Sequence, residues 1–385
     1  MHSGSAKPSE KPFHADHDRR QHTVKRSWIR FPSCTLSPMS SSSQSKFSLL
    51  NSLPSVLVSE SQWSQTNESL ILEPFTYITS KAGKEIRTLL VEAFNLWLAV
   101  PREQLKIIEH VVQMLHNASL MIDDIEDDAQ LRRGQPVAHK MYGIPQTINA
   151  ANYAYFLAYK ELAKLRSLFK EGEGEEASVA GVRDLDLVVT DELVNLHRGQ
   201  GSEILWRDML QCPTEEEYIS MVNNKTGSLF RMAVRLMMAH ATKNRDIDFV
   251  PLVNIIGVYF QIRDDYMNLQ STEYTDNKGF AEDLAEGKFS FPIIHGIRAD
   301  DKSRMVMSVL QKRPTTPTLK HHAIDHLRTK TKSFDYTLAV MQSLERQVRN
   351  EIARLGGNLQ LERILDTLHI EHDLTGGCGD EGIAA

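Results

Sequence analysis

From about Thr66 onward, apolar residues recur at three- and four-residue spacing with polar positions between them, the period of an amphipathic helix. Leu70, Phe75 and Ile78 begin the pattern. It continues over residues 86–98, 105–125, 148–165, 185–205, 218–241, 249–269, 280–297 and 334–355. No stretch alternates apolar and polar residues between turn pairs, so strands are not expected. Pro101, Gly143-Ile144-Pro145, Cys212-Pro213 and Pro251 separate the runs, and Gly356-Gly357 reads as a helix stop. The pattern predicts an all-α protein whose helical part spans residues 61–372.

The flanks read differently. Residues 1–60 carry a basic excess (Lys7, Lys11, Arg19, Arg20, Lys25, Arg26, Arg30) and a serine tract at 40–45, which predicts a disordered extension. Arg- and Ser-rich composition also suits an organellar transit peptide, but Glu10, Asp16 and Asp18 and the lack of an amphipathic face weigh against it. Met39 is a second possible start. Residues 170–181, with their Glu-Gly repeats, read as a surface loop, and 373–385 as a flexible Gly-rich tail.

Composition narrows the function classes. Hydrophobic residues make up 41% of the chain, enough for one large core, and the formal net charge of -6 gives no reason to expect nucleic acid. Cys34, Cys212 and Cys378 match neither a disulfide framework nor a zinc spacing, so a reducing, cytoplasmic setting is expected. No apolar run approaches the ~18 residues of a membrane span.

Two clusters carry the chemistry. In Asp123-Asp124-Ile125-Glu126-Asp127-Asp128, Asp123 and Asp127 stand four apart and stack on one helical face. Like charges so placed repel unless a cation lies between them, and magnesium takes one or two carboxylates plus water and phosphate oxygens. A lone acidic run is more often a solvated helix end. Asp264-Asp265-Tyr266-Met267-Asn268 repeats the motif, again within an apolar run, with Gln261, Asp264 and Asn268 on one face. Two such helices could clamp a diphosphate through shared magnesium. Basic residues stand around them: Lys84 and Arg87 after Gly83, Arg132-Arg133-Gly134, Lys225-Thr226-Gly227, Lys278 and Lys288. Arg forks and Lys point charges both suit phosphate, although each alone is more often surface.

On these residues the chain resembles the trans-isoprenyl diphosphate synthases, and among them the fungal and other eukaryotic geranylgeranyl diphosphate synthases. The likeness runs from about Asn67 to Ile297. Its motifs are Leu72-Glu73-Pro74-Phe75, Gly83-Lys84-x-x-Arg87, Leu115 through Asp127, Leu131-Arg132-Arg133-Gly134, Leu196-His197-Arg198-Gly199-Gln200-Gly201, Asn224-Lys225-Thr226-Gly227, Gln261 through Tyr266 and Lys278 through Asp283. The resemblance implies a single antiparallel helical bundle around a central substrate cavity, the isoprenoid synthase fold, and a homodimer. It implies that Gly83, Lys84, Arg87, His116 and Arg133 hold isopentenyl diphosphate. Arg132, Lys225, Thr226, Gln261, Asn268, Lys278 and Lys288 would hold the allylic diphosphate (dimethylallyl, geranyl or farnesyl). Asp123, Asp127 and Asp264 would bind about three magnesium ions, and Thr226 would face the allylic cation. Asn268 is the one departure, standing where many relatives have Asp.

The resemblance also bears on product length. Ala118 and Ser119, small and about one turn before Asp123, would leave the tunnel open, with Tyr155, Phe156 and His197 as its floor. A twenty-carbon product is expected. Farnesyl or other-length synthases, a class I terpene cyclase and a non-catalytic synthase subunit are the alternatives. The cyclase is disfavoured because Thr272, eight after Asp264, replaces the glutamate such enzymes carry; the subunit, because both acidic motifs are intact.

Overall fold

Several helices start where a cap or a proline allows it. The computed structural model describes residues 63–80, 86–168, 184–270 and 280–370, all within one compact unit; the expected extension 1–60, the 170–181 loop and the 373–385 tail lie outside the described residues. Ser64 caps α1 (Gln65–Ile71) through its hydroxyl, and Pro74 lies in the first turn of α2 (Glu73–Thr79). After α3 (Ile86–Leu98), Pro101 is the N-cap of α4 (Arg102–Glu126), so it begins an element rather than merely interrupting one. Gly143, at φ +84°, joins the short α5 (Ala138–Tyr142) to α6 (Ile144–Ser167). The Asp184 carboxylate caps α7 (Leu185–Met209), and Thr214 with Glu217 forms a capping box on α8 (Glu215–Ala239). Pro251 falls in the first turn of α9 (Val250–Gln270).

The C-terminal part continues with α10 (Glu282–Glu286), α11 (Phe291–Ala299), α12 (Met305–Lys312), α13 (Pro317–Thr329), α14 (Ser333–Arg354) and α15 (Leu359–Leu368). Gly356 and Gly357, at φ +95° and +82°, end α14 as expected.

Two expectations change. The run 280–297 is not one helix: Gly287 takes a left-handed φ of +76° and Pro292 opens a new helix, which leaves Lys288 in the turn between α10 and α11. Strands are also present, as a minimal antiparallel hairpin of β1 (Leu131–Arg132) and β2 (Gln135–Pro136). Arg133 and Gly134 at its tip both have positive φ, +54° and +71°, the backbone that tight hairpins require. Two residues per strand are too few for alternation to register.

The all-α expectation otherwise holds. Helix α8 is central and packs on α7, α9, α4 and α3, while α4 packs along α6. Leu98, Ile108, Leu115, Leu162, Met232 and Ile262 are fully buried in the shared core. The three central helices touch backbone to backbone. A Cβ on Gly199 of α7 would lie 2.4 Å from the Lys225 nitrogen on α8, and one on Gly257 of α9 would lie 3.3 Å from the Gly227 Cα. That close approach sits beside Lys225 and Thr226. No described helix is long and apolar enough to cross a membrane.

Candidate active site

Helices α3, α4, α7, α8 and α9, with the hairpin and α10, enclose a cavity of about 590 Å³, within the ~300–1,000 Å³ of small-molecule sites. The first acidic motif enters at the C-terminal end of α4. Asp123, Asp124 and Glu126 occupy its last turn, Asp127 is the C-cap, and no basic residue of that turn offsets them. Carboxylates there oppose the helix dipole, so cations must come from elsewhere in the fold. Arg132, brought back by the hairpin, donates from Nε to Asp124 at 2.7 Å and reaches Asp123 at 3.3 Å. Lys225 contacts Asp123 at 3.1 Å and also pairs closely with Glu203 of α7. Arg207, also on α7, donates to the Asp127 carboxylate at 2.5 Å and to the Glu126 carbonyl at 3.1 Å, which caps α4.

The charges remain unbalanced. Burial works against ionised Asp123, but Lys225 and Arg132 outweigh it and hold the carboxylate far below the usual range. Burial and the Asp123 charge instead raise Asp127 to about 7, with Lys225 and Arg207 acting the other way. Glu286, at the end of α10, is pushed well above the ordinary range by burial and by the Asp127 and Asp283 charges. Among the described residues, no three acidic, imidazole or thiol groups already converge as a cage. The donor set is a hard-oxygen, anion-rich wall, which fits magnesium completed by water and phosphate oxygens.

The second motif faces the first across the cavity. Gln261, Asp264 and Asn268 of α9 line it, and the Asn268 side-chain oxygen accepts from the Asp283 backbone N–H at 3.2 Å, tying α9 to α10. Lys288 stands between Asp265 (3.5 Å), Glu203 (3.8 Å) and Asp283 (3.8 Å). On the α3 side, Arg87 donates to His116 at 2.9 Å. Burial and the Arg133 charge lower Arg87 to about 10, and burial with Arg87 keeps His116 well below its usual value, hence neutral. Arg133 also lines the cavity. Two basic groups of residues therefore flank one acidic pair. Gly83, Lys84 and Lys278 lie outside the described residues.

The residues expected to set product length divide. Ser119 lines the cavity, as do Tyr155 and His197, whose rings are 6.2 Å apart. Ala118 does not: it is fully buried in a cluster with Ala150, Ala151 and Ala154 of α6. Phe156 does not either, being 70% exposed. Adjacent helical positions point about 100° apart, which lets Ser119 face the cavity while Ala118 packs on α6, and Tyr155 face it while Phe156 turns outward.

Sequence reasoning missed Gln200, Glu203, Arg207 and Glu286. The Gln200 amide is buried and donates to Asp123 at 3.2 Å and Glu126 at 2.7 Å. Gln200 and Glu203 sit in or beside the quoted Leu196–Gly201 stretch, which was a usable signal; Arg207 carried none.

A bundle that faces two acidic helices across one cavity, with basic residues on both sides, is the architecture of a polyprenyl-transferring enzyme. The Polyprenyl synthetase family model matches residues 68–327, and the chain belongs to that family. It is 56% identical over 318 residues to geranylgeranyl pyrophosphate synthase AN1592 of Hericium erinaceus, covering 80% of this chain and 94% of that one. It is 53% identical over 307 residues to the geranylgeranyl pyrophosphate synthase of Mucor circinelloides f. lusitanicus, covering 80% and 95%. IDS-like terpene synthase 1 of Melampsora lini is 48% identical over 309 residues, covering 80% and 91%.

Proposed function

We propose that this protein is a geranylgeranyl diphosphate synthase, which condenses isopentenyl diphosphate with an allylic diphosphate to lengthen it by five carbons. The observation that carries the reading is the pairing of Asp123 and Asp127 with Asp264 in one cavity, between two basic groups. Arg87, His116 and Arg133 would hold isopentenyl diphosphate; Arg132, Lys225, Gln261, Asn268 and Lys288 the allylic diphosphate. Magnesium, about three ions held by Asp123, Asp127 and Asp264, would supply positive charge to the leaving diphosphate.

Lys225, Arg132 and Lys288 would neutralise the rest of that charge as the allylic carbon–oxygen bond breaks. Thr226 would face the resulting cation. The isopentenyl double bond then attacks the cation, a carbon–carbon bond forms, and a proton leaves for the departed diphosphate. Leu196, Leu229 and Phe260, which also line the cavity, would exclude water from the cation. The tail would run past Ser119 towards Tyr155 and His197. Exposed Leu187, Val194 and Leu205 on α7 and Phe156 on α6 support a homodimer.

The test is product analysis with purified protein, magnesium, isopentenyl diphosphate and farnesyl diphosphate. A twenty-carbon diphosphate is expected, lost in Asp123→Ala and Asp264→Ala. With dimethylallyl or geranyl diphosphate as the starter, a product stopping at fifteen carbons sinks the length assignment. A hydrocarbon or cyclic product would favour a terpene synthase, and an inactive unmutated protein a non-catalytic subunit.

A further inference from the structure

Asp265, the second residue of the α9 motif, is 1% exposed and lies behind the cavity wall. Tyr218, fully buried on α8, donates its hydroxyl to Asp265 Oδ2 at 2.5 Å, and the Phe291 backbone N–H at the start of α11 donates to the same oxygen at 2.9 Å. Oδ1 takes the Gln261 side-chain amide N–H at 2.9 Å and faces Lys288 at 3.5 Å. Four donors converge on one carboxylate, leaving it no free lone pair directed at the cavity.

This arrangement decides a direction. A glutamine amide can sit either way round, and its neighbours choose. With Asp265 as acceptor on one side, Gln261 must turn its N–H towards Asp265 and its Oε1 away. That Oε1 accepts the Thr226 hydroxyl at 2.6 Å. The Thr226 proton is thereby committed to Gln261, so the hydroxyl offers the cavity lone pairs rather than a proton. With the amide reversed, Gln261 would donate to Thr226 and free the hydroxyl proton to point into the cavity, where it would repel a carbocation.

We infer that Asp265 is a positioning residue rather than a metal ligand: through Gln261 it fixes which end of the Thr226 hydroxyl dipole meets the allylic cation. The inference rests on the prenyl-transfer reading proposed above.

Asp265→Asn keeps the shape and inverts the polarity. The Phe291 N–H can only donate, so the Asn oxygen must stay on its side and the new NH2 must face Gln261. That turns the Gln261 oxygen towards position 265 and its NH2 towards Thr226. The single-turnover condensation rate should fall by about a hundredfold or more, the scale of losing one oriented dipole in an active site. KM for isopentenyl diphosphate and the magnesium concentration for half-maximal rate should stay within about threefold. Tyr218→Phe, which removes a donor but leaves Asp265 an acceptor, should keep the rate within about threefold.

A magnesium requirement that rises in Asp265→Asn, with the rate restored at saturating metal, would make Asp265 a ligand and overturn the inference. So would an unchanged rate, or a loss in Tyr218→Phe as large as in Asp265→Asn. Should Asp265→Asn not fold, neutron diffraction from the unmutated protein decides the same point. Deuterons of the Gln261 amide facing Asp265 are expected; deuterons aimed at Thr226 refute it. Turnover of the unmutated protein tests the prenyl-transfer reading separately.

Discussion

Gly199→Ala is the sharpest probe of how the helices place Lys225. The added Cβ would stand 2.4 Å from the Lys225 backbone nitrogen and 2.9 Å from its Cα and Cβ. These are main-chain and near-main-chain atoms, so no flexible side-chain end can move aside. Relief requires α7 and α8 to part by about 1 Å, and overpacking of this kind costs about 1–3 kcal/mol of stability. The same displacement moves Lys225 relative to Asp123, and misplacement by about 1 Å in an active site costs on the order of a hundredfold in rate. The matched control is Gly201→Ala, two residues along the same helix, where a Cβ meets nothing within 4 Å. There the gain in helix propensity should stabilise the protein by about 0.5–1 kcal/mol without loss of turnover. Thermal unfolding and saturating turnover measure both. Gly199→Ala with unmutated stability and rate, or Gly201→Ala as damaging as Gly199→Ala, would refute the close-approach argument.

Three further outcomes are expected. Ser119→Phe should shorten the product by filling the cavity. Ala118→Phe, pressed against Ala150, Ala151 and Ala154, should instead destabilise by about 1–3 kcal/mol or more through overpacking; product chromatography and melting curves separate the two. Asp127, raised to about 7 by burial and by Asp123, carries a proton below that pH, and a metal must displace it. Apparent magnesium affinity should therefore fall about tenfold from pH 8 to pH 6, and a pH-independent half-saturation would contradict this. Asn358→Ala removes the cap on α15, where Asn358 accepts from Leu361 N–H at 3.1 Å and donates to the Ala93 carbonyl at 2.8 Å. It should cost about 2–3 kcal/mol with product length unchanged, as read by denaturant unfolding and product analysis.

The long helices are legible in the chain because each buries an apolar face over several turns, and periodicity reports that burial directly. Its limits are physical. Periodicity says that Ala118 and Tyr155 belong to buried faces, but not which neighbour each face meets; Ala118 proves to pack on α6 and Phe156 to face outward. The break between α10 and α11 depends on one glycine's φ, and the hairpin is too short to carry a pattern. The first acidic motif stands out because Asp123 and Asp127, four apart, share one helical face and so show in the sequence itself. Arg207 pairs with Asp127 across eighty positions, and a single charged residue gives no sign of so distant a partner.

The charge pattern of the cavity explains why those distant partners exist. Asp123, Asp124, Glu126 and Asp127 crowd the unfavourable end of α4, which the dipole and mutual repulsion would destabilise without counter-charge. Lys225 engages both Asp123 and Glu203, while Lys288 stands among Glu203, Asp265 and Asp283. Lys225 and Arg132, proposed to meet a diphosphate, thus already serve the fold as partners of Asp123, proposed to meet a metal. A diphosphate arriving alone would draw Lys225 and Arg132 from Asp123, and a metal arriving alone would displace them from it with no diphosphate to receive them. Arriving together, metal and diphosphate would let Asp123 and its cations change partners at once, so neither would be left buried and unpaired. By linkage each would then strengthen the binding of the other. Glu203, which pairs with Lys225 and is no part of either acidic motif, keeps a counter-charge on that lysine throughout the exchange.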